Sequence, residues 1–155
     1  MKEVFSDIVT IDKSTSEVFD RVKNPENLGK FLVNDVPDTY LPQNIKEYIK
    51  YGKDNVTLDV PGFKARIDLA EITSKHVKYN ICFPGLKEGV IFIQILPTEN
   101  GGSKMRLAAG YSLGIGPAGL LLRSTVNENK VKETLDDIAK SLEESFKVTE
   151  MKEED

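Results

Sequence analysis

Residues 117–147 read PAGLLLRSTVNENKVKETLDDIAKSLEESFK, and this stretch decides the fold. Val131, Leu135, Ile138, Leu142 and Phe146 follow one another at steps of four, three, four and four, a single apolar stripe on one helix. Ala118, Leu120, Leu121, Leu122 and Val126 extend the helix backward, and Pro117 suits its first turn. The step from Val126 to Val131 breaks the rhythm, so a bend is expected near Asn127–Asn129. A helix over 117–147 would be roughly 45 Å long at about 1.5 Å per residue. So long a stripe needs a long apolar trough to lie in.

The preceding sequence can supply that trough. Strand-like segments are expected at 44–51, 55–60, 63–73, 76–83, 88–97 and 103–113, with a first strand at 4–12. Gly52-Lys53-Asp54, Pro61-Gly62, Ser74-Lys75, Pro84-Gly85 and Glu99-Asn100-Gly101-Gly102 punctuate them. Connections this short force antiparallel neighbours, because a parallel crossover needs about a dozen residues or more. Val56, Leu58 and Val60 alternate with Thr57 and Asp59; Val77, Tyr79, Ile81 and Phe83 alternate with His76, Lys78 and Asn80. One face of the sheet is apolar and the other polar. Between the first strand and the rest, Ser14-Thr15-Ser16-Glu17 is a capping box that opens a short helix. Asn24-Pro25 opens a second one over Glu26–Leu32, and 33–43 reads as a loop. The expected fold is α+β, a seven-stranded antiparallel curved sheet around a long C-terminal helix. Residues 1–147 form one domain, and 148–155 an acidic tail.

Composition removes whole classes of function. The chain has 155 residues, a net charge of -4, one Cys (Cys82) and one His (His76). A single His and a single Cys leave no set of ligands for a structural zinc site, and no metal or cofactor is expected. The acidic balance offers no global field for nucleic acid. The longest apolar run, Val90–Leu96, is interrupted by Gln94 and falls far short of the ~20 residues a membrane-spanning helix needs. The lone thiol and the charges Lys2, Glu3, Asp7 and Asp12 in the first dozen residues point to the cytoplasm. Nothing in the sequence fixes an oligomeric state.

Three local stretches carry a family likeness: Asp12-Lys13-Ser14-Thr15-Ser16-Glu17-Val18-Phe19, Asn24-Pro25-Glu26-Asn27-Leu28, and Tyr111-Ser112-Leu113-Gly114-Ile115-Gly116-Pro117 running into the helix. With the element order, they resemble the helix-grip fold of the START/polyketide-cyclase-like superfamily, which includes the birch-pollen allergens. The chain is similar to its small bacterial and archaeal members. The Gly-rich loop of the plant members is missing; Tyr51-Gly52-Lys53-Asp54-Asn55 stands in its place. The resemblance implies a cavity between sheet and helix that holds a lipid, fatty acid, polyketide or similar molecule. Some members of the superfamily are enzymes, some carriers and some cochaperones.

Parity on the strands suggests the lining of such a cavity: Leu58, Phe63, Ile67, Tyr79, Ile81, Phe92, Leu107 and Tyr111, facing Leu120, Arg123 and Val126 of the helix. Ile91, Ile93 and Ile95 compete with Phe92 for the inward face. Glu47 and Asp7 fall at apolar-face parity, where an unpaired carboxylate is costly. Each either touches a polar ligand group or is carried into water by a bulge or strand end. Carriage of a hydrophobic small molecule is the main expectation. Its rivals are a cyclase or dehydratase with Glu47 or Asp7 as base and a Tyr as donor, and a cochaperone-like protein-binding module. His76 and Cys82 share the polar face and read as solvated. Gly114-Ile115-Gly116-Pro117-Ala118-Gly119 matches a dinucleotide-binding pattern, but no parallel strand follows it. Its glycines more simply serve a tight strand-to-helix turn.

Overall fold

The computed structural model describes residues 1–27, 45–61 and 63–154. Strands β1 (Lys2–Phe5), β2 (Val9–Ile11), β3 (Ile49–Tyr51), β4 (Asn55–Val60), β5 (Phe63–Ile72), β6 (His76–Cys82), β7 (Leu86–Pro97) and β8 (Ser103–Leu113) form one antiparallel sheet. Its order is β1-β8-β7-β6-β5-β4-β3, with β2 also on β8. Helix α1 spans Thr15–Val22, α2 Pro117–Thr125 and α3 Glu128–Glu154. Among the described residues no helix is long and apolar enough to cross a membrane.

The first strand is split. Phe5 pairs with Ala108 and Val9 with Met105, so four steps on one strand meet three on the other. The extra residue is accommodated at Ser6, which is buried. Its N–H donates to the Leu107 carbonyl at 2.8 Å, and its hydroxyl accepts from the Leu107 N–H at 2.9 Å. A side chain thus stands in for one rung of the ladder, and Asp7 is thrown outward.

Ser14 caps α1 as expected, accepting from the Glu17 N–H at 3.3 Å. The helix buries Val18 and Val22 against the sheet. Asn24 accepts from the Glu26 N–H at 3.1 Å. From Leu28 on, the expected second helix and the loop over 33–43 lie outside the described residues. The segment expected as a strand over 44–51 is strand only from Ile49; Ile45–Tyr48 is a 3-10 turn.

The long helix is two helices. Val126 is extended at φ -102, ψ 118, and Asn127 caps α3 by accepting from the Lys130 N–H at 2.9 Å. The stripe behaves as its spacing predicts: Leu135, Ile138, Leu142 and Phe146 are buried, with Ala139, against the sheet's inner face. Val4, Ile67, Val77, Tyr79, Ile93, Ile95, Met105 and Leu107 fill that face. Leu58, Val60 and Ala65 form a second, smaller cluster. The strand-to-helix turn is closed by glycine. A Cβ on Gly119 would stand 1.9 Å from the Gly114 carbonyl oxygen, and one on Gly85 (φ +90) 2.6 Å from that of Ala118. α2 therefore sits tight on the β6–β7 turn.

Candidate functional site

Among the described residues, the expected lining is divided between two packed clusters and a cleft. Ile67, Tyr79 and Leu107 are in the packed core, and Ile81 is partly buried against it. Leu58 belongs to the separate small cluster. The Phe63 side chain lies outside the described residues. Tyr79 is a core residue with a satisfied phenol: its hydroxyl donates to the Val22 carbonyl, tying β6 to the end of α1. Burial, with the negative charge of Asp54 behind it, pushes that phenol far above the ordinary tyrosine value, so it stays a neutral donor.

Three expectations are corrected. Phe92 pairs with Lys78 and lies edge-on to His76, with ring centroids 5.4 Å apart, on the outer face. Ile93 and Ile95 are the buried residues of that strand. Glu47 is exposed in the 3-10 turn, where the two-residue parity of a strand does not apply. Leu120 is 59% exposed on the outer side of α2. Asp7, the other candidate base, is exposed at the break after β1. Its carboxylate accepts from Lys132 at 3.0 Å, and its N–H donates to Asp136 at 2.7 Å. It joins the first strand to α3 and is not among the residues that line the cleft described below.

A half-open cleft of about 490 Å³ lies where β1, the end of β8 and the α2–α3 junction meet. Tyr111, Arg123 and Val126, all expected at a ligand, line it. Met1, Lys2, Ser112 and Leu113 complete it and were not expected. Register explains their presence: Lys2 lies directly opposite Tyr111. The expected first strand began at residue 4, which left both N-terminal residues out of account. The volume falls within the range of about 300–1,000 Å³ typical of small-molecule sites.

The cleft has a polar wall. Arg123 is exposed and makes no ion pair among the described residues. Lys2 stands 3.9 Å from Glu128, with both side chains about two-thirds exposed (66% and 65%). The Ser112 hydroxyl is buried and has no hydrogen-bond partner among the described residues. The Tyr111 phenol is held above its ordinary value by burial, then by the charge of Glu128, so it remains a proton donor at neutral pH.

Elsewhere the titratable groups are scattered. Cys82 is exposed. His76 takes its Nδ1 contact from the Thr73 hydroxyl at 3.2 Å, and Glu71 stands 3.8 Å from its Nε2. Among the described residues no three His, Cys, Asp or Glu side chains converge to hold a metal ion.

No protein-family model matches the chain, and no curated protein matches it by sequence. Solved structures do match along nearly its whole length. A START superfamily protein from Mycobacterium smegmatis superposes with a TM-score of 0.60 at 13% identity, over 95% of this chain and 98% of that one. A conserved protein from Geobacillus kaustophilus gives 0.57 at 15% identity, over 95% of each. Norcoclaurine synthase from Thalictrum flavum gives 0.53 at 13% identity, over 91% of this chain and 86% of that one. The chain therefore shares the fold of these structures, the helix-grip fold: an antiparallel sheet with a long C-terminal helix.

Proposed function

We propose that this chain binds a small, largely apolar molecule in the cleft between β1, β8 and the α2–α3 junction. The observation that carries the reading is the cleft itself, of ligand size and formed by elements from both ends of the chain. The fold supports it, since the resemblance to the START/polyketide-cyclase-like superfamily implies a ligand-binding protein. A lipid, fatty acid or polyketide-like compound has an alkyl part to set against Met1, Leu113 and Val126 and a polar end to set against Lys2, Tyr111 and Arg123. Binding is driven by burial, about 0.8 kcal/mol for each CH₂ removed from water. Binding rather than acid–base catalysis is favoured because no carboxylate is among the described residues that line the cleft. Residues 1–147 act as one binding domain in this reading, and the lone thiol of Cys82 supports a cytoplasmic setting.

The test is to fill the cleft. Val126 lines the cleft and is partly buried, in an extended linker rather than inside a helix. Val126→Trp should abolish uptake of an environment-sensitive apolar dye, with thermal stability little changed. Full dye uptake by a folded Val126→Trp protein, or none by the wild type, would overturn the reading.

A further inference from the structure

Resting on that cleft, we propose that it selects amphiphiles with a single negative charge, a carboxylate above all, and that Arg123 is the residue that reads the head group. Arg123 lines the cleft and has no carboxylate partner among the described residues. A guanidinium presents its donors as a planar fork that matches a carboxylate. Lys2, the other cation of the cleft, stands near Glu128, so its charge is partly answered. Two cations against one acid leave about one positive charge, which suits a monoanion better than a dianion or a cation.

The neutral groups agree with that assignment. A buried hydroxyl without a partner is rare and asks for an explanation. The Ser112 hydroxyl is such a group, in a residue that lines the cleft. The Tyr111 phenol, held protonated by burial and by Glu128, can donate and cannot compete as an anion. Guanidinium, ammonium and phenol thus border one cleft, and no acid is among the described residues that line it. The apolar side chains of Met1, Leu113 and Val126 are left for the alkyl portion.

Titration calorimetry with decanoate and with 1-decanol separates head group from chain. Decanoate should bind about tenfold more tightly than 1-decanol, the value of one hydrogen bond to a charged group. The excess should shrink as salt is raised. Arg123→Gln should remove the excess and leave 1-decanol unchanged. Arg123 is exposed, so the fold is not at stake, and the wild-type ratio and its salt dependence stand without any variant. Glu128→Gln should tighten decanoate by removing the competing acid. Equal binding of decanoate and 1-decanol by the wild type would overturn the head-group inference and leave the cleft standing. An unchanged ratio in Arg123→Gln would overturn the role of Arg123. Binding of neither compound would overturn the cleft reading, and this inference with it.

Discussion

α2 and α3 continue one another along the chain, yet they are buried very differently. Leu120 and Leu121 of α2 are each 59% exposed, whereas Leu135 and Leu142 of α3 are 2% and 3% exposed. Apolar content does not explain this, because α2 carries three consecutive leucines and α3 spreads its apolar residues thinly among charges. Spacing explains it. Residues three and four apart share a helix face, whereas neighbours in sequence do not. α3 places Val131, Leu135, Ile138, Leu142 and Phe146 on one face, and that face meets the sheet. Leu120, Leu121 and Leu122 point in three directions, so only part of the set can be covered. Leu122 is the one turned to the β6–β7 turn, its Cδ1 2.6 Å from where a Cβ on Gly85 would stand. The kink at Val126 lets α3 follow the sheet while α2 closes the cleft.

The largest effect should come from α3. Leu135→Ala should cost about 2–5 kcal/mol of unfolding free energy, the usual range for deleting a buried leucine side chain. Urea denaturation measures it. A loss below about 1 kcal/mol would mean that α3 is not the main clasp, and the contrast with α2 would collapse.

A smaller effect concerns how α3 is tied to the first strand. Burial alone would raise the Asp136 carboxyl, but hydrogen bonds from Lys132 and the Asp7 N–H, with the charges of Lys132 and Lys140, hold it below its ordinary 3.8. The same contacts raise Lys132 above 10.5. A depressed acid stabilises the fold above its ordinary value and loses that contribution as pH falls through the folded value. A raised lysine contributes below its ordinary value and is lost as pH climbs through the folded one. Stability should therefore fall below pH 3.8 and again above pH 10.5. Asp136→Asn should weaken the clasp at neutral pH and flatten the acid limb of a plot of melting temperature against pH. Because the cluster is open to solvent, salt should reduce the contribution as well. An acid limb identical in the variant would show that the cluster does not couple strand to helix.

Much of this fold was legible because its signals are periodic and local. Turn residues at short intervals dictated antiparallel neighbours, the 131–146 stripe dictated the face of α3, and Ser14 with Glu17 dictated the start of α1. The failures share a physical cause, which is that parity needs a regular strand with one apolar face. Residues 45–48 form a 3-10 turn, so counting by twos misplaced Glu47. The stretch Ile91-Phe92-Ile93 is apolar on both sides, so hydrophobicity could not say which side is inner. What places Phe92 outside is its cross-strand neighbourhood, with Lys78 5.6 Å above its ring and His76 at the edge. The cleft was only half legible. Tyr111, Arg123 and Val126 lie close together in sequence, but Lys2 reaches them through strand pairing from the opposite end of the chain.

The smallest expected effect tests the exposed side of the comparison. Leu120→Ala removes an apolar side chain that the structure leaves in water and substitutes the residue with the best helix propensity. No cavity can form at an exposed site, so the change in stability should stay within about 0.5 kcal/mol. For a chain of this size that is a shift of under roughly 2 °C in melting temperature. The prediction is sharp because the same substitution at Leu135 should be several-fold more damaging. Differential scanning calorimetry at two protein concentrations decides it. A loss of 2 °C or less at both concentrations, as expected, would confirm that α2 carries uncovered leucine. A larger, concentration-dependent loss would mean that Leu120 is covered in solution by a second copy of the chain, and the division between a buried α3 and an open α2 would then hold only for the isolated molecule.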